Sequence, residues 1–236
     1  MLAHQEIDLV QCFIVTFIVC KRWRDLSQDS WHMIKTLDLS SSTWGFVHTG
    51  YINTALLRKI LLKCGKFLTR IDLDEPAHYL SQSTLTIIGK LCPNLTCINI
   101  TTLTVCASGI RTLANNCRNI IKFCLGPSTY SCDNELKYLF KLNQNLECLV
   151  ITRNNILGKC LLYLPEQTMH TIILDRCTYL QDNHLSMVNR LFSLSHFFCY
   201  SIDIYMIRDT LILSRAGTEE TQKFNASCNK RLYRRS

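Results

Sequence analysis

The stretch "NLECLVITRNNI", residues 145–156, carries five spaced anchors: Leu146, Leu149, Ile151, Asn154 and Ile156. Side chains two apart on a strand share a face, so Leu149 and Ile151 point one way while Cys148 and Val150 point the other. Asn154 stands where the chain turns out of the strand. Backbone groups lose their ladder partners there, and a side-chain amide can donate and accept in their place. "TMHTIILDRC", residues 168–177, repeats the spacing with Met169, Ile172 and Leu174, and puts Cys177 at the asparagine position.

Aligned against itself, the chain shows this unit seven times. "MIKTLDLS" (33–40), "FLTRIDLD" (67–74), "NLTCINIT" (94–101), "NIIKFCLG" (119–126), "NLECLVIT" (145–152), "TMHTIILD" (168–175) and "SLSHFFCY" (193–200) share a strand-like centre. Their central residues, Leu37, Ile71, Ile98, Phe123, Leu149, Ile172 and Phe197, follow one another at 34, 27, 25, 26, 23 and 25 positions. A recurrence of roughly 20–29 residues around an L-x-x-L-x-L core is the signature of a leucine-rich repeat. Between the units lie segments of helical spacing at 53–64, 81–92, 106–117, 134–143 and 181–192. In the first, Leu56, Leu57, Ile60, Leu61 and Cys64 form one apolar stripe. Ser81 ahead of Leu85, and Asp182 ahead of Leu185, are the expected helix caps.

No such unit buries its own apolar face, so neighbours must stack, strand on strand and helix on helix. The expected fold is α/β, a leucine-rich-repeat solenoid over 34–200, a horseshoe with a concave parallel sheet and convex helices. Cys64, Cys92 and Cys117 close three of the helices at intervals of 28 and 25 residues. A free cysteine packs as a small apolar group, so these three read as part of the stack and not as metal ligands.

The positions between the apolar anchors form the other face of the sheet. They are Thr36 and Asp38, then Arg70, Asp72 and Asp74, then Cys97, Asn99 and Thr101. Lys122 and Cys124, Cys148 and Val150, and Thr171, Ile173 and Asp175 follow, and last His196, Phe198 and Tyr200. The first half is polar with an acidic bias and the second apolar and aromatic. Asp72, Asp74, Asn99, Lys122, Ile173, Asp175, Phe198 and Tyr200 are the candidates for holding a protein substrate, since apolar patches rimmed by polar groups suit protein recognition. On the other reading, the C-terminal segment 201–216 covers Phe198 and Tyr200 as a cap.

An apolar fraction of 47% with 19% charged residues describes a folded chain rather than a disordered one. Fourteen cysteines without a CxxC pair or zinc-type Cys/His spacing suit a reduced cytoplasmic or nuclear protein. The apolar run Leu9–Cys20 is shorter than the roughly 20 residues that cross a bilayer, and no basic region precedes it, so no membrane partner is expected. Of the net charge of +8, residues 223–236 alone supply five basic residues and no acid. The remainder is too small for a nucleic-acid surface. The tail from 217 onward is expected to be disordered, either simply solvated or a patch for import or an acidic partner.

Ahead of the first repeat stands "VCKRWRDLSQDSWHMIKTLDLS", residues 19–40. Its Cys20, Trp23, Leu26 and Trp31 resemble the second half of an F-box, in which a C-x-x-W motif is followed by a tryptophan that runs into the repeats. The cysteine-containing repeats resemble those of F-box leucine-rich-repeat proteins, so the likeness spans about residues 19–200. It implies that Cys20, Trp23, Leu26 and Trp31 dock on the Skp-type adaptor of a cullin ubiquitin ligase. The repeats would then hold a protein substrate while other subunits transfer ubiquitin, this chain contributing proximity. Residues 1–18 carry no L-P-x-E motif, with which such a domain opens. The F-box is therefore expected to be partial, an atypical apolar segment over 1–18 and a remnant over 19–33. An alternative is a repeat scaffold uncoupled from any ligase, with Trp23 and Trp31 sealing the open end of the stack.

No G-x-S-x-G elbow, phosphate-binding glycine loop, HExxH or paired-carboxylate motif occurs, and the seven histidines are scattered. An enzyme, a cofactor, a metal or a small-molecule substrate is not expected. Lys122 beside Cys124 is the one hint of a reactive thiol, which would need a cation to lower its pKa.

Overall fold

The computed structural model describes residues 28–39, 52–74 and 80–200, apart from 186, 187, 189, 190 and 192. Seven short strands make one sheet: β1 (Thr36–Asp38), β2 (Arg70–Asp72), β3 (Cys97–Ile100), β4 (Lys122–Leu125), β5 (Cys148–Thr152), β6 (Thr171–Asp175) and β7 (His196–Tyr200). Their order across the sheet is their order in the chain, and every pair is parallel. Parallel neighbours need a crossover of the chain after each strand. Helices α1 (Thr54–Cys64), α2 (Thr84–Leu91), α3 (Ala107–Asn116) and α4 (Asp133–Leu142) supply it and pack side by side in sequence. A 3-10 turn, Lys159–Tyr163, stands between β5 and β6, α5 (Asp182–Leu185) lies between β6 and β7, and another 3-10 turn, Gln28–Met33, precedes β1. The fold is thus α/β, a seven-stranded all-parallel sheet flanked by helices, compatible with a solenoid.

The register carries the repeat. Leu37, Ile71, Ile98, Phe123, Leu149, Ile172 and Phe197 are successive Cα partners across the six strand pairs. None of them is more than 3% exposed. A slip of one residue would turn each strand's apolar set to the wrong face, so the buried column fixes the pairing. Unequal spacing is absorbed in the connections. In the shortest interval, 23 residues from Leu149 to Ile172, the 3-10 turn replaces an α-helix.

The second buried layer comes from the helices: Leu57, Ile60 and Leu61 of α1, Leu85 and Ile88 of α2, Ile110 and Leu113 of α3, and Leu136, Leu139 and Phe140 of α4. These join the strand column in one continuous apolar core. Burying a side chain of this size stabilises by roughly 1.5–3 kcal/mol. Gly126, just past β4, shows how close the coils come. A Cβ there would lie 2.5 Å from Leu103 O, 2.6 Å from Ile100 O and 2.8 Å from Thr101 O, all backbone atoms of the preceding coil.

Two helix starts differ from expectation. Ser81 does not cap α2, which begins at Thr84. Its N–H donates to Thr54 Oγ1 at 2.7 Å and its hydroxyl pairs with Ser83 Oγ at 2.7 Å, so it ties the entry of α2 to the start of α1 instead. The helix expected over 181–192 is helical over Asp182–Leu185 among the described residues, with Asp182 as its first residue rather than the residue before it. At α1 the Asn53 side chain is the cap, accepting from Leu56 N at 2.9 Å.

Cys64, Cys92 and Cys117 are fully buried, as packing residues should be. Burial pushes the Cys64 and Cys117 thiols up to about 12 and raises Cys92 as well, so all three stay protonated. Cys117 Sγ donates to Cys92 O at 3.2 Å, one coil bonded to the coil before it. In the fourth coil Asn143 takes this place. It accepts from Ile120 N at 2.9 Å and donates to Cys117 O at 3.2 Å and Leu139 O at 3.0 Å, with none of its surface exposed. The eleven described cysteines are all free. No helix among the described residues is long and apolar enough to cross a membrane.

Candidate functional site

The outward residues of the strands line up in rows that run across the sheet. One row is Thr36, Arg70, Cys97, Lys122, Cys148, Thr171 and His196; the next is Asp38, Asp72, Asn99, Cys124, Val150, Ile173 and Phe198. The face therefore has the composition that its sequence implies, polar at β1–β3 and apolar toward β7.

The polar half is a connected network. Asn99 Nδ2 donates to both carboxylate oxygens of Asp72, at 3.0 and 3.1 Å. Asp74 N donates to Asp72 Oδ1 at 3.2 Å, and Thr101 Oγ1 donates to Asp74. Asp72 is only 6% exposed. Burial pushes its carboxyl above the usual carboxylate range; the Asn99 bonds oppose that, and negative Asp38 and Asp74 add to it. Asp72, Asp74 and Asn99 thus act as one unit. Lys122 stands exposed in the middle of the first row, between Cys97 and Cys148.

In the apolar half, Ile173 and Phe198 are adjacent partners, yet only 5% and 6% exposed. The His196 and Phe198 rings stack with centroids 6.4 Å apart and planes at 18°. Asp175 pairs in register with Tyr200 and is half-buried. Burial raises its carboxyl, against the pull of Arg176 and Arg153.

Those two arginines escaped the sequence reading. Arg153 and Arg176 occupy equivalent places just past β5 and β6, with φ of 50° and 54°, and both are exposed. A left-handed backbone at a residue with a long side chain is strained, and nothing in the residue type announces it. Arg176 Nε lies 3.9 Å from Asp175 Oδ1, so the guanidinium borders the apolar half of the face.

Trp31 is 3% exposed and belongs to the core. The adaptor candidates Cys20, Trp23 and Leu26 lie outside the described residues, as do the segments 1–18, 201–216 and 217–236. The Cys124 thiol is raised by burial and by the neighbouring Cys148, against the pull of Lys122, so the lysine does not make it a thiolate. Among the described residues no three His, Cys, Asp or Glu side chains group as a metal site.

A buried acid that the sequence reading passed over holds the far side of the stack. Asp133, 6% exposed at the first position of α4, accepts from Leu157 N at 2.7 Å, Cys160 N at 3.0 Å and Ser131 Oγ at 2.7 Å. Burial pushes its carboxyl up, but the three donors together hold it below the usual range. Asn154, at the turn out of β5, is also fully buried, and its Nδ2 donates to Gly126 O at 2.8 Å. Its Oδ1 has no hydrogen-bond partner among the described residues. Compared with models of known protein families and with curated proteins, the chain matches none.

Proposed function

We propose that the chain is a protein-binding leucine-rich-repeat module, the substrate-recognition subunit of a Skp–cullin–F-box type ubiquitin ligase. A protein substrate lies along the outward face of the sheet, and residues 19–33 meet the adaptor. The observation that supports the repeat reading most is the unbroken register from Leu37 to Phe197, which is what coils of one repeating unit produce when they stack. The outward face then offers the Asp72–Asp74–Asn99 network at one end and the Ile173–Phe198 edge, flanked by Arg153 and Arg176, at the other. Substrate contacts would come from the exposed Lys122, Arg153 and Arg176 first. The more enclosed Asp72 and Ile173 shape the surface beneath them.

The adaptor half of the proposal rests on the likeness of Cys20, Trp23, Leu26 and Trp31 to an F-box. A second reading, a repeat scaffold with no ligase attached, draws support from Trp31, whose 3% exposure suits a residue that seals the first coil. Co-purification separates the two. On the ligase reading the full chain retains a Skp-type adaptor, and Trp23→Ala releases it. If the wild-type chain fails to bind the adaptor at micromolar concentration, the ligase reading fails and the scaffold reading stands.

A further inference from the structure

The helix side of the molecule carries a second surface of different character. A groove of about 380 Å³ runs along α2, bounded by α1 on one side and the start of α3 on the other. Its floor is Ile87 and Leu91, both partly buried against the core. Arg58 of α1 and Lys90 of α2 line it together with Ser83 and Thr86, and among the described residues no carboxylate does. The charge continues beyond the groove. Lys59 and Lys63 are exposed on α1, and neither α1 nor α2 contains an acid. The nearest helix acids are Asp133, buried in its own network, and Glu135, which accepts from Arg111 at 2.8 Å. Among the described residues Arg58 and Lys90 have no carboxylate partner.

From this juxtaposition, an apolar floor between two uncompensated cations, we infer that the groove docks an acidic peptide segment that also carries aliphatic side chains. The aliphatic groups lie on Ile87 and Leu91 while flanking carboxylates meet Arg58 and Lys90. At the small end of the roughly 300–1,000 Å³ range of ligand pockets, it takes one or two side chains of a linear segment. Among the described residues the lining has no aromatic ring on which an unstacked base could lie, so a peptide fits it better than a single-stranded nucleic acid. The site faces away from the sheet and does not depend on the ligase reading.

The test uses the full chain and a short fluorescein-labelled peptide of repeated Glu-Glu-Leu triplets, read by fluorescence anisotropy. Binding is expected to weaken with added salt and to fall about tenfold in Arg58→Glu/Lys90→Glu, the sum of several partly exposed charge contacts. Ile87→Gln is expected to bring the Glu-Glu-Leu peptide down to the level of a Glu-Glu-Gly peptide. Lys137→Glu/Lys141→Glu, the same charge change on α4, is expected to stay within about twofold of wild type, because screening confines each effect to its own neighbourhood. The proposal is overturned if the wild-type chain does not bind the peptide, or if the α4 pair weakens binding as much as the groove pair. It is also overturned if an oligothymidylate or phosphatidylserine vesicles bind through Arg58 and Lys90 more tightly than the peptide. Unchanged melting temperatures identify the groove variants as folded.

Discussion

Asn143→Ala removes a side chain that bonds three backbone groups in two successive coils, at a site with no exposed surface. The alanine leaves the Ile120 N–H without its partner in a fully buried position, which costs about 1–3 kcal/mol. The void left by the amide adds about 1 kcal/mol. The expected loss is therefore roughly 2–4 kcal/mol, and at about 2–4 °C per kcal/mol for a chain of this length the melting temperature falls by roughly 4–16 °C. Thermal and urea unfolding followed by far-ultraviolet circular dichroism read it directly. Asn143→Cys installs the residue used in the other three coils. Its thiol can donate to Cys117 O as Cys117 donates to Cys92 O, while Ile120 N–H stays unmet, so about half the loss is expected. Asn116→Ala, at an exposed asparagine that among the described residues bonds Thr112 O alone, should stay within about 0.5 kcal/mol. If Asn143→Ala costs no more than Asn116→Ala, Asn143 is not the tie between the third and fourth coils.

Three further outcomes follow from the same geometry. Asp133→Asn keeps the shape but loses one acceptor against the Leu157 and Cys160 N–H groups, and should cost roughly 1.5–3 kcal/mol at neutral pH. Because the folded carboxyl titrates below its ordinary value, the wild-type advantage is fully present above that value; it shrinks as pH falls through the folded pKa, which urea melts across acidic pH would trace. Asp72→Asn loses an acceptor toward Asn99, but at neutral pH it gains by removing a charge disfavoured by burial and by Asp38 and Asp74, so it should cost less than Asp133→Asn. The folded carboxyl of Asp72 takes up its proton at higher pH than the unfolded one, so the gain fades as pH falls and wild type neutralises itself. Gly126→Ala should destabilise by roughly 1–3 kcal/mol, because the new methyl meets three backbone carbonyls and no movable side chain; a neutral result in the same melts would mean that β3 and β4 are not so closely stacked.

The strand column was legible because an apolar residue recurs at one place in each coil. A buried parallel strand leaves a mark of two or three apolar residues, and seven such marks at a near-constant interval reinforce one another. The cysteines at the helix ends were legible for the same reason. Asn143 was not, because it breaks the chemical series while keeping the position; only the 26-residue step from Cys117 points to it. Asp133 was invisible for a different cause. Its partners are the backbone N–H groups of Leu157 and Cys160, and backbone groups carry no sequence signal. Ser81 misled because a serine before an apolar run has two uses, a cap or a side-to-side tie, and the choice depends on Thr54 in the preceding coil. On the outward face, alternation named the residues correctly but not their exposure. Asp72, Ile173 and Phe198 lie on that face and are nonetheless buried.

Ile98, Phe123 and Leu149 are adjacent rungs of one parallel ladder, and the stack stands on that adjacency. Amide–amide nuclear Overhauser effects in the perdeuterated, nitrogen-15-labelled chain test it most directly, because neighbouring strands lie roughly 4.8 Å apart and next-nearest strands about twice that. Cross-peaks are expected between β3 and β4 and between β4 and β5, at steps of 25 and 26 residues and in parallel order, with none between β3 and β5. Antiparallel pairings, or direct contacts between β3 and β5, would contradict the stacked-coil account and the protein-binding face built on it.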